Sequence, residues 1–429
     1  MLRLNALQTT GRALLLSLLS AISLATATHA QPASEEASAP STTPLAPAQL
    51  WPSLNAVLHV PDWMSLQLAL TAEPLAGNST PNGSSFAWMQ QLALTSEFSR
   101  GLNRDKSQWQ EFDHWKAAVQ LTSFSGNPNL NLSLGTAFPL QTTAHPLGLW
   151  LTEATLQRAS AGDAIFVKAG LMSLNPGFIE TDVLNSYINS TLNNTLNLEI
   201  NGFPINPFIA PAVALHVRTG SGSELRLGQF WLDSVNGLAS LFGVNPQQSP
   251  TSGSLQVLQW TLHDLPGTTA LHQPIHFNQR LIARQLPPPC LQIGGFNVSG
   301  PSANVGLYGS LTLAVPIPAG LDHRAWIGFN KGFTIQNNPD PGYLAGGWLA
   351  QGLIPGRPLD VLAIGLGNTT FSKILNPGLS PESVIEVNYA IPISSQLTVQ
   401  PVIQWILQPG GNSARPAAIG GGVQITASF

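Results

Sequence analysis

The chain has 429 residues, a formal net charge of −4 at pH 7 and only 9% charged residues, against roughly a quarter in ordinary soluble domains. Charge this sparse and slightly acidic offers no basic face for nucleic acid, and a single cysteine, Cys290, rules out an internal disulfide framework. Past the N-terminus no run approaches the about 18 uninterrupted apolar residues of a spanning helix, which excludes a helical membrane protein.

Residues 1–30 read as a cleaved secretory signal. Arg3 and Arg12 supply the positive region, Leu14 to Leu24 the apolar stretch, and Thr28-His29-Ala30 a small-residue cleavage site. An exported chain without a spanning helix is either a large soluble β protein or an outer-membrane barrel. Residues 31–50 are rich in Ala, Pro, Ser and Thr and read as a flexible or semi-extended leader. No second linker follows, so 51–429 forms one domain, long for a single soluble core. A barrel escapes that limit because it grows by adding strands. Cys290 follows Pro287-Pro288-Pro289, which places it in a turn as an incidental residue.

The C-terminal third parses strand by strand. Val305 to Leu313 alternates and ends near Pro316-Ile317-Pro318; Ala325 to Phe333 and Tyr343 to Leu353 follow. Val361 to Phe371, Val384 to Ile391 and Gln396 to Leu407 lead to the last strand, Val423 to Phe429. There Val423, Ile425, Ala427 and Phe429 share one face, and Gln424, Thr426 and Ser428 the other. Apolar outer rows and polar inner rows suit a strand with lipid outside and water inside. A soluble sheet with one wet face alternates in the same way, so the weight falls on regular recurrence. Connections at 334–342, 372–383 and 408–417 are on the whole longer and richer in Asn, Gly and Ser than turns near 316–324, 354–360 and 392–395. That contrast is expected of outer loops against periplasmic turns. At about 23 residues per strand and connection the domain holds about 16 strands, wide enough for an aqueous channel. The fold class is therefore all-β, a transmembrane antiparallel β-barrel of about 16 strands after a cleaved signal peptide.

Three segments carry a family resemblance. Val384-Ile385-Glu386-Val387-Asn388-Tyr389, continuing through Gln400-Pro401-Val402-Ile403-Gln404-Trp405-Ile406-Leu407-Gln408-Pro409-Gly410-Gly411, resembles the closing motif of the carbohydrate-selective porins of bacterial outer membranes, with Trp405 where tyrosine is usual. Gly352 to Leu362 is similar to the G-L-x-P-G-R-x-x-D-x-L segment of that family, and Lys168-Ala169-Gly170 with Tyr187-Ile188-Asn189-Ser190 to its K-x-G and F-x-N-S segments. The resemblance spans roughly residues 90–429. It implies passive diffusion of small solutes, sugars foremost, through a water-filled barrel.

A sugar channel needs hydrogen-bond partners for hydroxyls at a constriction, arranged so that binding stays weak enough for release. Strand parity nominates as pore-lining Lys116, Gln120, Glu153, Gln157, Lys168, His216, Arg218, Arg226, Glu386 and Asn388. A charged side chain within a spanning strand faces inward, because lipid exposure of Arg or Lys at mid-depth costs about 2–4 kcal/mol. Each has a plainer reading as a solvated wall residue away from any narrow point. The Asn-rich stretch from Asn175 to Pro207 carries Glu180, Asp182, Tyr187 and Asn189; it either folds into the lumen as a constriction or forms an ordinary outer loop. Arg357 and Asp360 flank turn chemistry and read as a structural ion pair.

Enzymatic readings find no footing. There is no G-x-S-x-G nucleophile elbow. His272 and His276 have an i, i+4 spacing, but Pro274 spoils the helix such a metal site uses. Neither a metal nor another cofactor is called for. The expected partners are outer-membrane lipid and permeating sugars. Outward apolar rows suit lipid or a neighbouring copy equally, so a homo-trimer is compatible but unspecified. A general or ion-selective porin, and a structural barrel plugged by residues 175–207, stay open as alternatives.

Overall fold

The computed structural model describes residues 44–79, 83–100, 114–160, 164–175, 177–193, 196–198, 203–220, 222–232, 253–263, 265, 273–277, 280–300 and 303–429. The expected signal peptide, most of the leader and His272 lie outside them.

In chain order the strands are β1 (Met64–Ser79), β2 (Gly83–Arg100), β3 (His114–Gly126), β4 (Gly148–Ala159), β5 (Ile165–Met172) and β6 (Ala210–Gly220). There follow β7 (Ser223–Trp231), β8 (Ser254–Leu262), a small hairpin of β9 (Ile275–Phe277) and β10 (Arg280–Ile282), then β11 (Cys290–Ser299) and β12 (Asn304–Ala314). The series ends with β13 (Asp322–Gly332), β14 (Gly342–Gln351), β15 (Val361–Thr370), β16 (Glu382–Pro392), β17 (Leu397–Leu407) and β18 (Ala418–Ser428). All except β9 and β10 join one closed antiparallel barrel of 16 strands, sealed where β1 pairs with β18 from Ala69↔Ser428 to Asn78↔Ile419. Closure leaves no edge of unpaired N–H and C=O groups, as a bilayer demands.

Alternation decides which side each residue faces. Leu307, Ile327, Leu344 and Leu366 stand exposed on the outer wall, while their neighbours Tyr308, Gly328, Ala345 and Gly365 turn inward. The parsed strands hold to within a few residues, with two differences. β18 begins at Ala418, because Gly420, Gly421 and Gly422 carry no side chains to reveal the alternation. Cys290 opens β11 instead of sitting in a turn: the prolines before it lack the N–H that a ladder needs, so pairing starts at the first residue that has one.

Both described chain ends lie at one mouth of the barrel, called here the terminal end. Connections there are short at 160–164, 221–222 and 393–396, whereas the far end carries 127–147, 173–209 and 232–253. By the length rule the terminal end is periplasmic. Two terminal-end connections, 101–113 and 263–289, are longer than the rule expects. Residues 263–289 carry the β9–β10 hairpin and are held by inward residues of β13 and β14: Arg284 pairs with Asp322, Gln285 N donates to Gln351 Oε1 at 2.9 Å, and the fully buried Arg324 donates to Pro287 O at 2.7 Å. Residues 44–51 cross the same mouth. Leu45 bridges the hairpin at Leu281 and Ala283, and Trp51 stacks on Phe429 at 5.1 Å while Leu50 N and Trp51 N donate to Gln396.

Two far-end connections turn into the lumen instead of outward. Residues 173–209 and 127–147, the latter with a short helix α1 (Leu130–Leu134), build a hydrophobic core inside the barrel that takes in inward residues of most strands, among them Leu75, Phe230, Phe296, Tyr308, Trp326 and Val384.

Candidate functional site

One seat of the 173–209 connection is built from inward residues of β13 to β17; β7, β8 and β11 hold its other side, where Arg226 donates to Gly177 O, Ile179 N donates to Gln259, and Phe203 meets Phe296 edge-on. Small residues make the room: Gly347, Gly365 and Gly367 face inward from β14 and β15, and a Cβ added at Gly365 would stand 2.6 Å from the Tyr187 ring and 3.0 Å from Leu192. Into that recess go Tyr187, Ile188, Leu192 and Leu196, all buried. Each such side chain removed from water contributes about 1.5–3 kcal/mol, which explains how a connection this polar in composition stays inside.

Polar bonds fix its register. Glu386 Oε1 and Oε2 accept from Ile188 N at 2.8 Å and Asn189 N at 2.6 Å. Asn388 and Gln404 donate to the same carboxylate at 2.7 and 3.1 Å, and Asn189 donates to Gln404 Oε1 at 3.0 Å. Tyr187 donates to Ile364 O at 3.0 Å and accepts from Trp326 Nε1 at 2.8 Å, and burial pushes its phenol pKa up. Glu73 of β1 does for the other connection what Glu386 does here. It accepts from Thr143 N at 2.9 Å, from the hydroxyls of Thr142 and Thr143, and from Gln424 at 2.6 Å.

The opposite wall is wet. Lys116 of β3 pairs with Glu97 of β2 at 2.5 Å, both side chains about 40% exposed (42% and 39%). Gln120 donates to Thr95 at 3.0 Å and accepts from Thr152 at 3.0 Å. Glu153 of β4 pairs with Lys168 of β5 at 2.6 Å. The inward connection leaves Asp182 and Asn185 exposed; Asn185 donates to Glu180 at 3.2 Å, and burial raises the Glu180 pKa, with Asp182 adding repulsion.

Near the terminal end the wet wall deepens into a cleft of about 450 Å³. Gln157, Phe166, Lys168, Arg218, Arg226 and His263 line it, with His216 and Glu224 at its floor. Glu224 is taken up three ways, by Arg226 at 2.8 Å, His216 at 3.0 Å and His263 at 3.1 Å.

The family model described as carbohydrate-selective porin, OprB family, matches residues 119–429. The chain belongs to that family. Among solved structures, the high-pH form of Pseudomonas putida OprB aligns with a TM-score of 0.70 at 15% identity, covering 87% of this chain and 96% of that one. Its low-pH form aligns at 0.56 and 13%, covering 90% and 100%. An anion-selective porin from Comamonas acidovorans aligns at 0.50 and 10%, covering 85% and 99%. No curated protein matches in sequence. The chain is thus an outer-membrane porin for carbohydrates.

For an OprB-family porin, the nominated residues separate into two sets. Lys116, Gln120, Glu153, Gln157, Lys168 and Arg218 stand on the wet wall or in its cleft, joined by Arg226 and the buried His216. Glu386 and Asn388 face inward but do not line water: the 173–209 connection covers both, and their bonds are spent on holding it. Tyr187 and Asn189 are likewise buried, as anchors of the connection, whereas Glu180 and Asp182 stand at its open edge. Arg357 and Asp360 pair at 2.7 Å in a terminal-end turn, away from all of these. Parity alone did not single out Glu73, Gln404 or the inward glycines. The i, i+2 spacing of Gly365 and Gly367 on one strand face was the available signal, since a strand loses packing with each glycine unless something approaches closely.

Proposed function

We propose that sugars cross along the wet wall, between β2–β6 and the open edge of the 173–209 connection. Lys116, Gln120, Glu153, Gln157 and Lys168 meet the hydroxyls from one side, and Glu180, Asp182 and Asn185 from the other. The observation that carries this reading is the uneven interior: Glu386 seats the connection and is fully covered, whereas Asp182 and Asn185 stand exposed at its edge and Lys116 and Glu97 stand half-exposed on the wall. Short, paired, half-exposed polar groups can exchange a partner for a sugar hydroxyl at small net change in free energy, because each such bond replaces one already made. That is the weak binding a conducting site needs. Passage is passive and driven by the gradient, and we infer that no covalent chemistry accompanies it.

The test is single-channel conductance of the refolded mature chain in a planar bilayer, titrated with neutral mono- and oligosaccharides. A steady current blocked by sugar at millimolar concentration is expected. Current indifferent to sugars would move the chain to general or ion-selective passage, and a folded barrel that does not conduct would make it a plugged structural barrel.

A further inference from the structure

The cleft on β4–β7 has a charge and shape that neutral sugars do not require. Among its lining residues Glu224 is the one carboxylate, and it is occupied by Arg226, His216 and His263. Lys168 is matched by Glu153. Arg218 is different. It lies two residues beyond His216 on the inward row of β6, stands exposed in the cleft, and has no ion pair among the described residues. Arg226 is held in place by Gly177 O and Glu224, with its Nε buried and without a partner among the described residues. The cleft therefore presents one uncompensated guanidinium above a fixed, paired one.

Beside these cations stands an aromatic surface. The Phe166 ring is stacked on His216 with centroids 4.0 Å apart and 24° between planes, and both line the cleft. A flat, rigid ring pair suits the C–H face of a pyranose, and the Gln157 amide and His263, which is 48% exposed, stand where hydroxyls would need partners. A guanidinium is the side chain best matched to a planar or tetrahedral oxyanion, since it can donate two parallel charge-assisted hydrogen bonds.

We propose that this cleft binds a saccharide bearing one anionic group, a carboxylate or a phosphate, with Arg218 taking the anion and Phe166 the sugar ring. The site rests on the passage of sugars along the wet wall, and deepens it by naming a charged class of permeant held near the periplasmic mouth. Among the described residues no ion-pair partner of Arg218 has to be displaced, so against them the anion gains its bonds at the cost of desolvation alone.

The experiment is block of single-channel current through the full mature chain by glucose, glucuronate, glucose 6-phosphate and inorganic phosphate, in the wild type and in Arg218→Gln. Expected is half-block by one or both acidic sugars at a concentration roughly tenfold below glucose, as two charge-assisted bonds allow. In Arg218→Gln the ratio of acidic to neutral half-blocking concentrations should collapse to about one. Glucuronate and glucose 6-phosphate tell carboxylate from phosphate recognition. Equal block by acidic and neutral sugars in the wild type would overturn the proposal, as would a preference that survives Arg218→Gln. Block by inorganic phosphate as strong as by glucose 6-phosphate would reduce the site to an anion trap that ignores the sugar. Absence of glucose block, with acidic block intact and sensitive to Arg218, would sink the neutral-sugar path and leave this site standing. Arg218 is exposed and has no ion pair among the described residues, so the variant should fold as the parent does.

Discussion

Two walls of the same barrel share one alternation and have opposite interiors. From β13 to β16 the inward row is largely small or apolar, with Gly347, Ala345, Ala363, Gly365 and Val384, and a connection is packed against it. From β2 to β5 the terminal-end half of the inward row carries Glu97, Lys116, Gln120, Glu153, Gln157 and Lys168, and water stays there, while Met89, Phe124 and Trp150 are buried toward the far end. The difference teaches that a barrel interior is shaped by what each wall can accept. Glycines invite backbone and rings to approach; paired charges, expensive to desolvate, keep the opposite side open. Selectivity then comes from placing a rigid insert against one wall and leaving a lined passage along the other.

Glu386 is the place to break that contrast. Its carboxylate satisfies two backbone N–H groups and two side-chain amides at the packed wall. Glu386→Ala should cost about 3 kcal/mol or more in seating the connection, because buried donors are left without acceptors. The connection should loosen, single-channel conductance rise, and neutral-sugar block weaken together. Unchanged conductance in a folded variant would show that the connection does not define the passage.

How much of this was legible in the sequence can be judged from the same residues. Inward orientation of Lys116, Glu153 and Lys168 follows from the cost of charge in lipid, a constraint that acts residue by residue and so can be read locally. The strands of the last third could be bounded because Pro and Gly punctuate them. What stands in front of an inward residue cannot be read this way. Glu386 and Lys168 obey the same parity, yet one is covered and the other wet, and the difference is made by a connection some 200 residues distant in sequence from Glu386. That connection also disguised itself. Its asparagines fitted a lumenal constriction and an ordinary outer loop equally, while Leu184, Ile188, Leu192 and Leu196, four apart as on a helix face although the segment folds mostly as turns, join Ile179 in the face that is buried.

Gly365 sharpens the comparison from the apolar side. Gly365→Ala places a methyl against Tyr187 and Leu192, and overpacking of this kind typically costs 1–3 kcal/mol, roughly. Both neighbours are side chains, so the connection should shift toward the wet wall instead of the strand breaking. The expected readout is a modest loss of thermal stability with a narrower channel, seen as lower conductance. The opposite sign, a wider channel, would mean that Tyr187 is expelled altogether.

Asp340, in the far-end connection after β13, is the counter-example to Glu386. It is buried, neither carboxylate oxygen has a hydrogen-bond partner among the described residues, and burial raises its pKa well above the ordinary carboxylate value. The folded carboxyl therefore binds its proton more tightly than the unfolded one. Its contribution is fully present below the unfolded value near 3.8 and is lost as pH rises through the raised folded value. Stability should fall over that window in the parent, and Asp340→Asn should flatten the fall and stabilise the barrel at neutral pH. Thermal melts from pH 4 to 8 decide it; identical profiles would mean that the carboxyl is solvated after all.

The smallest effect on folding is expected on the wet wall, and it is informative because it is small. Lys116 and Glu97 form a half-exposed ion pair across β2 and β3, and such pairs contribute about 0–1 kcal/mol. Lys116→Gln should leave the melting temperature nearly unchanged while altering the field along the passage, since it uncovers the Glu97 charge. Cation preference, read from reversal potentials in a salt gradient, should rise. The shift should fade as salt is raised and the screening length falls toward about 3 Å near 1 M. A large stability loss instead would mean that this pair, like Glu386, holds something in place, and that the two walls differ less than their exposure suggests. A reversal potential indifferent to Lys116 at low salt would place the ion path away from β2 and β3. In that case the passage would have to run nearer the Glu180 edge of the inward connection, where Asp182 and not Lys116 would set the local charge.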